Sequence, residues 1–548
     1  MRIGIIDTGI SEKYSTTRNR IHIVNPKEGF DTNGHGTCVV NILEERVKDQ
    51  DIFVYKLNDN KGKIKSDDLI VALQKIKKVK VDVLNLSLGI LNGRNGNLKR
   101  VINEISESNT LIISAAENFG AISYPAAYEN VLSVIWDQKI SSLNSFITVK
   151  DKNANIHGFG NEFQAIGLNG VQNVSGSSFI APVLVAKVIN DKLFGTLRKN
   201  SVEEILKKFP SKVDNFFDKC KIPCNKKTNI IHNAIMFPFN KEIETILNNA
   251  DQLNFNIFSV VDAPFGKYVG KSIDSVLYRP QRIRGVIHSF YNFDWSSTEY
   301  DTMIVGHLQK ISSLYRINFL EEVKKIAKNY GKNLFLLDAE KSEVSVIGDV
   351  SRESVGNQAL YAHSTPIVAV VGMQSKLGKA DLELQLYKTL QDKGYDTAMF
   401  MSEPYYKLFQ QKYGWINGFG TETIDWEKEI VGANYLMHKL DDEQHEIVVV
   451  GTQSQVIPMA YENIGFLPQG TQDILIATHP DAFILVISEQ STEKQITRTI
   501  SYLESYFMAP VLAIYSINSP EKVGKHSVLI SKNIDNLTNM VIDFFANS

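Results

Sequence analysis

Three residues able to act as nucleophile, base and orienting carboxylate occur in short, well-marked settings. They are Asp7 in Ile5-Ile6-Asp7-Thr8-Gly9, His35 in Asn33-Gly34-His35-Gly36-Thr37, and Ser178 in Gly176-Ser177-Ser178-Phe179-Ile180-Ala181-Pro182. A serine hydroxyl is a weak nucleophile at its free pKa, so it needs an imidazole within hydrogen-bond reach to take its proton. A carboxylate on the far side fixes the imidazole tautomer and stabilises the imidazolium that forms. Each setting supplies a suitable backbone: an apolar strand running into Asp7, glycines flanking His35, and Gly176 just before a serine that opens a helix-like run. Together they could attack a carbonyl carbon.

Two further segments lie between the histidine and the serine, Asn85-Leu86-Ser87-Leu88-Gly89 and Ala115-Ala116-Glu117-Asn118-Phe119-Gly120. Asp7 to His35, His35 to Asn118 and Asn118 to Ser178 are 28, 83 and 60 residues apart. In this order the five segments resemble the subtilisin family of serine peptidases. The resemblance implies Ser178 as nucleophile, His35 as general base and then acid, Asp7 as orienter, and Ser87, Leu88 and Gly89 as a substrate-binding strand. It also implies that the Asn118 amide and the Ser178 backbone N–H bind the oxyanion, helped by the positive end of the helix that Ser178 starts.

Departures from the family pattern carry their own expectations. Ser177 replaces the usual threonine and keeps a hydroxyl, whereas Ile180 replaces a small alanine on the active-site helix. Glu117 stands where the family commonly has glycine in the pocket for the residue before the scissile bond. A carboxylate there predicts a preference for Lys or Arg, unless it turns outward or supports its own loop. Ile90 after Gly89 narrows the same pocket.

With 548 residues, 43% apolar and 22% charged, the chain is expected to form several cores. A net charge of −2 gives no basic footprint for nucleic acid. No run approaches the roughly 20 apolar residues that span a bilayer, so no membrane partner is expected. Met1-Arg2-Ile3-Gly4 leads directly into the strand before Asp7, which leaves no room for a signal peptide and predicts a cytoplasmic protein. Cys38, three residues after His35, reads as a small buried apolar residue. Cys220 and Cys224 lack further soft ligands, which argues against zinc, and no cofactor or metal is expected.

The fold class is α/β: a subtilisin-like parallel-sheet domain over 1–193, a basic linker over 194–229, then Rossmann-like and P-loop-like units over 230–360 and 361–548. The linker carries nine Lys or Arg against four Asp or Glu. In the last unit Gly372-Met373-Gln374-Ser375-Lys376-Leu377-Gly378-Lys379-Ala380 follows a strand and resembles a phosphate-binding loop, which makes Gly372, Gly378 and Lys379 candidate nucleotide-binding residues. Five residues rather than four separate its glycines, and Ala380 stands where a hydroxyl would hold magnesium.

From about Ile230 the chain resembles the peptide maturation system proteins of clostridial modified-peptide clusters. Phe237-Pro238-Phe239, Ala380-Asp381-Leu382-Glu383-Leu384-Gln385-Leu386, Lys393-Gly394-Tyr395, Gly451-Thr452-Gln453 and Ile457-Pro458 carry this resemblance. It implies a precursor (leader) peptide as substrate and peptide-modifying enzymes as candidate partners. The alternative is a catalytically weak peptide-binding scaffold or chaperone, and a third reading is self-cleavage in the polar segment after Phe194.

Overall fold

The computed structural model describes residues 1–548 except 17, 29, 58–63, 92–95, 150–153, 194–201, 212–229, 338–359, 376, 416–425, 459–468, 518–520, 531–532 and 548. The chain divides into two compact units, one of residues 1–216 with 352–364, the other of 217–351 with 365–548.

The first unit is built on an eight-stranded sheet. Its strands are β1 (Arg2–Asp7), β2 (Ile21–Ile23), β3 (Asp51–Lys56), β4 (Val83–Leu86), β5 (Leu111–Ala115), β6 (Leu132–Asp137), β7 (Ile147–Thr148) and β8 (Ile156–Phe159). They lie in the order β2-β3-β1-β4-β5-β6-β8-β7, and every neighbouring pair is parallel except β7 with β8. Strands of such a sheet are covered on both faces, so their sequences run as near-continuous apolar stretches. Ile3 and Ile5 of β1 pack with Val39 and Ile42 of helix α1 (His35–Glu44), whereas Ile6 packs on the opposite face with Leu69 and Leu73 of α2 (Ser66–Val79) and Leu98 and Val101 of α3 (Gly96–Glu107). Each such isoleucine, wholly removed from water, contributes about 1.5–3 kcal/mol.

Helix α4 (Ser177–Asn190) lies on the α1 face, and its Ile180, Val183 and Leu184 join the same core. The bulk of Ile180 is accommodated by a missing side chain, because a Cβ on Gly158 of β8 would sit 2.6 Å from Ile180 Cγ2. Within the stretch expected as a basic linker, the described residues 202–211 pack instead of running free. Helix α5 (Val202–Leu206) and the residues after it place Val202, Ile205 and Phe209 in this core, and the Thr148 N–H donates to Pro210 O at 2.9 Å. Cys220 and Cys224 lie outside the described residues.

Among the described residues the second unit holds two larger sheets and a two-stranded antiparallel hairpin of Lys522–Val523 with His526–Ser527. Five parallel strands, β11 (Asn233–Phe237), β12 (Asn256–Asp262), β13 (Ile287–Ser289), β14 (Thr302–Val305) and β15 (Asn333–Leu336), take the order β13-β12-β11-β14-β15; a hairpin of the first unit supplies β9 (Phe163–Gly167) and β10 (Gly170–Val174). Six parallel strands, β16 (Ile367–Gly372), β17 (Thr397–Phe400), β18 (Ile447–Gly451), β19 (Ala482–Val486), β20 (Val511–Ser516) and β21 (Leu529–Ile530), take the order β17-β18-β16-β19-β20-β21. Both sheets feed one apolar cluster, with Ala234, Met236 and Ile304 from the first and Val368, Val370 and Val449 from the second. Among the described residues no helix is long and apolar enough to cross a membrane.

Candidate active site

Asp7 is the last residue of β1 and is buried, while His35 is the first residue of α1. The two elements approach closely because Gly36 has no side chain: a Cβ there would lie 2.2 Å from Gly9 O and 3.1 Å from Asp7 Oδ1. His35 Nδ1 lies 2.7 Å from Asp7 Oδ1, and His35 Nε2 lies 3.0 Å from Ser178 Oγ. With Nδ1–H donating to the carboxylate, Nε2 is left as the acceptor for the serine hydroxyl, which is the tautomer that proton abstraction requires. The Phe179 ring stacks at a tilt on the imidazole, 4.8 Å between centroids.

Ser178 sits in the first turn of α4, where a helix has N–H groups without intrahelical acceptors. Gly176 before it has a φ of 110°, a left-handed backbone that favours glycine, and its Cα faces the Asn118 side chain. The Ser177 N–H donates to Asn118 Oδ1 at 2.8 Å. That bond turns the Asn118 NH₂ away from Ser177. The Ser87 hydroxyl donates to the Ser178 carbonyl at 2.6 Å and accepts from Asn85 Nδ2 at 2.9 Å, which braces the serine turn from β4. Beyond β4, Leu88 is buried and Gly89 exposed; a Cβ on Gly89 would lie 3.3 Å from Ser123.

The Glu117 carboxylate is engaged by its own loop. Its Oε2 accepts the N–H groups of Phe119 at 2.7 Å and Ala121 at 3.1 Å, and burial nonetheless pushes its pKa up. Of the two roles open to this residue in the sequence, the bonds match loop support. Cys38 is buried one turn along α1 and accepts the Gln172 amide at 3.0 Å; burial raises its pKa, which keeps the thiol protonated.

Sequence reasoning passed over Asp31. This buried carboxylate accepts the N–H groups of Asn33 and Gly34 through Oδ1 and both the N–H and hydroxyl of Thr37 through Oδ2, and Thr8 Oγ1 donates to it at 3.0 Å. It therefore ties the Asp7 and His35 segments together. An aspartate two residues before Asn33-Gly34 is the signal of an Asx-type turn and could have been noticed. Trp136 was also missed, with its indole N–H donating to Asn118 O at 3.1 Å.

The glycine loop of the second unit joins β16 to helix α6 (Lys379–Asp392). Gly378 caps this helix with a φ of 81°, and the buried Lys379 ammonium donates to Gln374 O at 3.1 Å and Ser454 O at 2.9 Å. One turn on, burial pushes the Glu383 carboxyl up to about 8, and burial also lowers Lys379 to about 8. Gly451 makes room for Glu383, since a Cβ there would lie 2.2 Å from its Oε2. The lysine thus bonds inward to its own loop and to the turn after β18. Among the described residues no group of three or more His, Cys, Asp and Glu is placed to hold a metal ion.

Residues 1–189 match the family model for the subtilase family, Peptidase_S8, and this region of the chain is a subtilase domain with a subtilisin-like α/β fold. The chain is 29% identical over 169 residues to the minor extracellular protease Epr of Bacillus subtilis (strain 168), which covers 28% of this chain and 26% of that protein. It is 25% identical over 147 residues to the membrane-bound transcription factor site-1 protease of Homo sapiens, covering 24% of this chain and 14% of the relative. The chain thus spans about a quarter or less of the length of these curated relatives. Among solved structures it is similar to the epidermin leader peptide processing serine protease EpiP from Staphylococcus aureus, with 18% identity, a TM-score of 0.31, and coverage of 37% of this chain and 68% of that one. A second is the nisin leader peptidase NisP from Lactococcus lactis, with 15% identity, a TM-score of 0.29, and coverage of 38% and 87%.

Proposed function

We propose that the chain is a serine endopeptidase that cleaves a ribosomally made precursor peptide in the cytoplasm. The observation that carries this reading is His35 held between a buried carboxylate at 2.7 Å and a serine hydroxyl at 3.0 Å. Ser178 attacks the peptide carbonyl, His35 takes the hydroxyl proton and returns it to the leaving amine, and Asp7 steadies the imidazolium. Asn118 Nδ2 and the Ser178 N–H receive the negative charge of the tetrahedral intermediate. Water then hydrolyses the acyl-enzyme by the same proton route.

The precursor-peptide part of the proposal rests on the sequence resemblance of the chain after Ile230. There the strand order β13-β12-β11-β14-β15 supports a Rossmann-like reading and β17-β18-β16-β19-β20 a P-loop-like one. We take Gly372, Gly378 and Lys379 as a loop kept for packing, because the lysine bonds to carbonyls and Ala380 offers no hydroxyl. No preference for basic residues is included, since Glu117 is bonded to its own loop.

Mass spectrometry of a mixed peptide library after incubation with wild type and with Ser178→Ala tests the reading. Cuts present with wild type and absent with the variant are expected. Tight peptide binding without cleavage by wild type would favour the scaffold reading instead.

A further inference from the structure

Trp136 is the penultimate residue of β6, next to the oxyanion segment, and makes two bonds there. Its indole Nε1–H donates to the Asn118 carbonyl at 3.1 Å, and its backbone N–H donates to Ser177 Oγ at 3.2 Å. Ser177 in turn donates its N–H to Asn118 Oδ1 at 2.8 Å. Residues 118, 136 and 177 therefore form a closed ring in which each pair shares one bond, and neither Trp136 nor Ser177 reacts.

The ring acts on the two freedoms that decide where the Asn118 NH₂ points. Ser177 fixes the amide rotation by occupying Oδ1, and the indole fixes the backbone from which that side chain springs. A loop residue with a free carbonyl could shift by an ångström, and misplacement on that scale costs on the order of a hundredfold in rate. The indole is suited to this duty because its donor sits on a rigid, half-buried body packed against the core of the first unit. A purely packing role at this strand end would be met by any apolar ring.

We infer that Trp136 is a positioning residue of the oxyanion site, holding Asn118 through the indole N–H. This rests on the peptidase reading for its effect on rate, though not for its effect on Asn118 itself. It is tested with Trp136→Phe, which keeps a ring and removes the donor, alone and combined with Asn118→Ala. The first readout is the rate at which a fluorophosphonate probe labels Ser178, with Ser178→Ala as blank. The expected result is slowing of about tenfold to a hundredfold by Trp136→Phe in the wild-type background and none in the Asn118→Ala background. An unchanged rate, or equal slowing in both backgrounds, overturns the inference.

The second readout does not depend on activity. The Asn118 Nδ2 proton signals, assigned by their loss in Asn118→Ala, are expected to be sharp in wild type and broadened in Trp136→Phe. Unaltered signals overturn the positioning role whatever the labelling shows. Failure of wild type to label, with the broadening present, overturns the peptidase reading and leaves the positioning role standing. If Trp136→Phe lowers the melting midpoint, benzothienylalanine at position 136 replaces only the N–H by sulfur and is read in the same way.

Discussion

Two polar clusters of this chain sit where helices begin, and they differ in where their bonds lead. In the first unit the bonds of His35 run from a buried carboxylate to a serine, and the His35 side chain remains 27% exposed. In the second, Lys379 and Glu383 are buried and the lysine bonds to carbonyls of its own surroundings. Both clusters announce themselves by glycines at suggestive spacing. The difference is that a chemically competent group needs a partner that prepares it and an open side for a substrate, and only the first cluster has both.

The largest effects should come from breaking the first cluster. Ser178→Ala and His35→Ala are each expected to lower the kcat for library cleavage by roughly 10⁴- to 10⁶-fold, and the double variant little further, because such groups act as a unit. Lys379→Met and Glu383→Gln, assayed beside them, are expected to leave kcat within about twofold, well short of the losses seen when a reacting group is removed. Asn118→Ala follows, with a loss of about a hundredfold to a thousandfold in kcat and little change in KM.

Next in size is the packing under α4. Gly158→Ala should destabilise the first unit by about 1–3 kcal/mol in chemical denaturation through its clash with Ile180, and the same substitution should cost less when made in an Ile180→Ala background, where that clash is gone. The smallest effect is a pH dependence of the second cluster. Burial raises the Glu383 carboxyl to about 8, so between its ordinary value and 8 the folded protein holds a proton that the unfolded chain releases. Stability from this group is full at low pH and is lost as pH rises through 8. Lys379, lowered to about 8, opposes the trend above that pH. Glu383→Gln should flatten the fall in melting midpoint between about pH 5 and 8.

Much of the first cluster was legible in the sequence because its needs are local. An aspartate at the end of an apolar strand, a histidine between glycines and a serine after a glycine each declare a backbone as well as a side chain. The bond that ties Asp31 to Thr8, 23 residues away, and those of Trp136 to Asn118 and Ser177, 18 and 41 residues away, were not legible, since these partners lie on other elements. Glu117 was ambiguous for another reason, because the turn that follows it decides which N–H groups its carboxylate meets. Val202, Ile205 and Phe209 have the three-to-four-residue spacing of a buried helix face, but the lysines around them hid it. The parallel sheets of the second unit showed in apolar runs such as Ile367-Val368-Ala369-Val370-Val371, whereas the inward course of the Lys379 side chain depends on carbonyls as distant as Ser454.

Residues 360–364 belong to the first unit although the sheets before and after them belong to the second, and the Ala362 N–H donates to Phe119 O at 2.9 Å, one residue from Asn118. The polypeptide therefore returns to the subtilase domain after building the five-stranded sheet and before starting the six-stranded one. A shortened chain ending at residue 216 would be severed from that returning stretch, so trimming the protein to its recognisable third also removes a strut from beside the oxyanion loop.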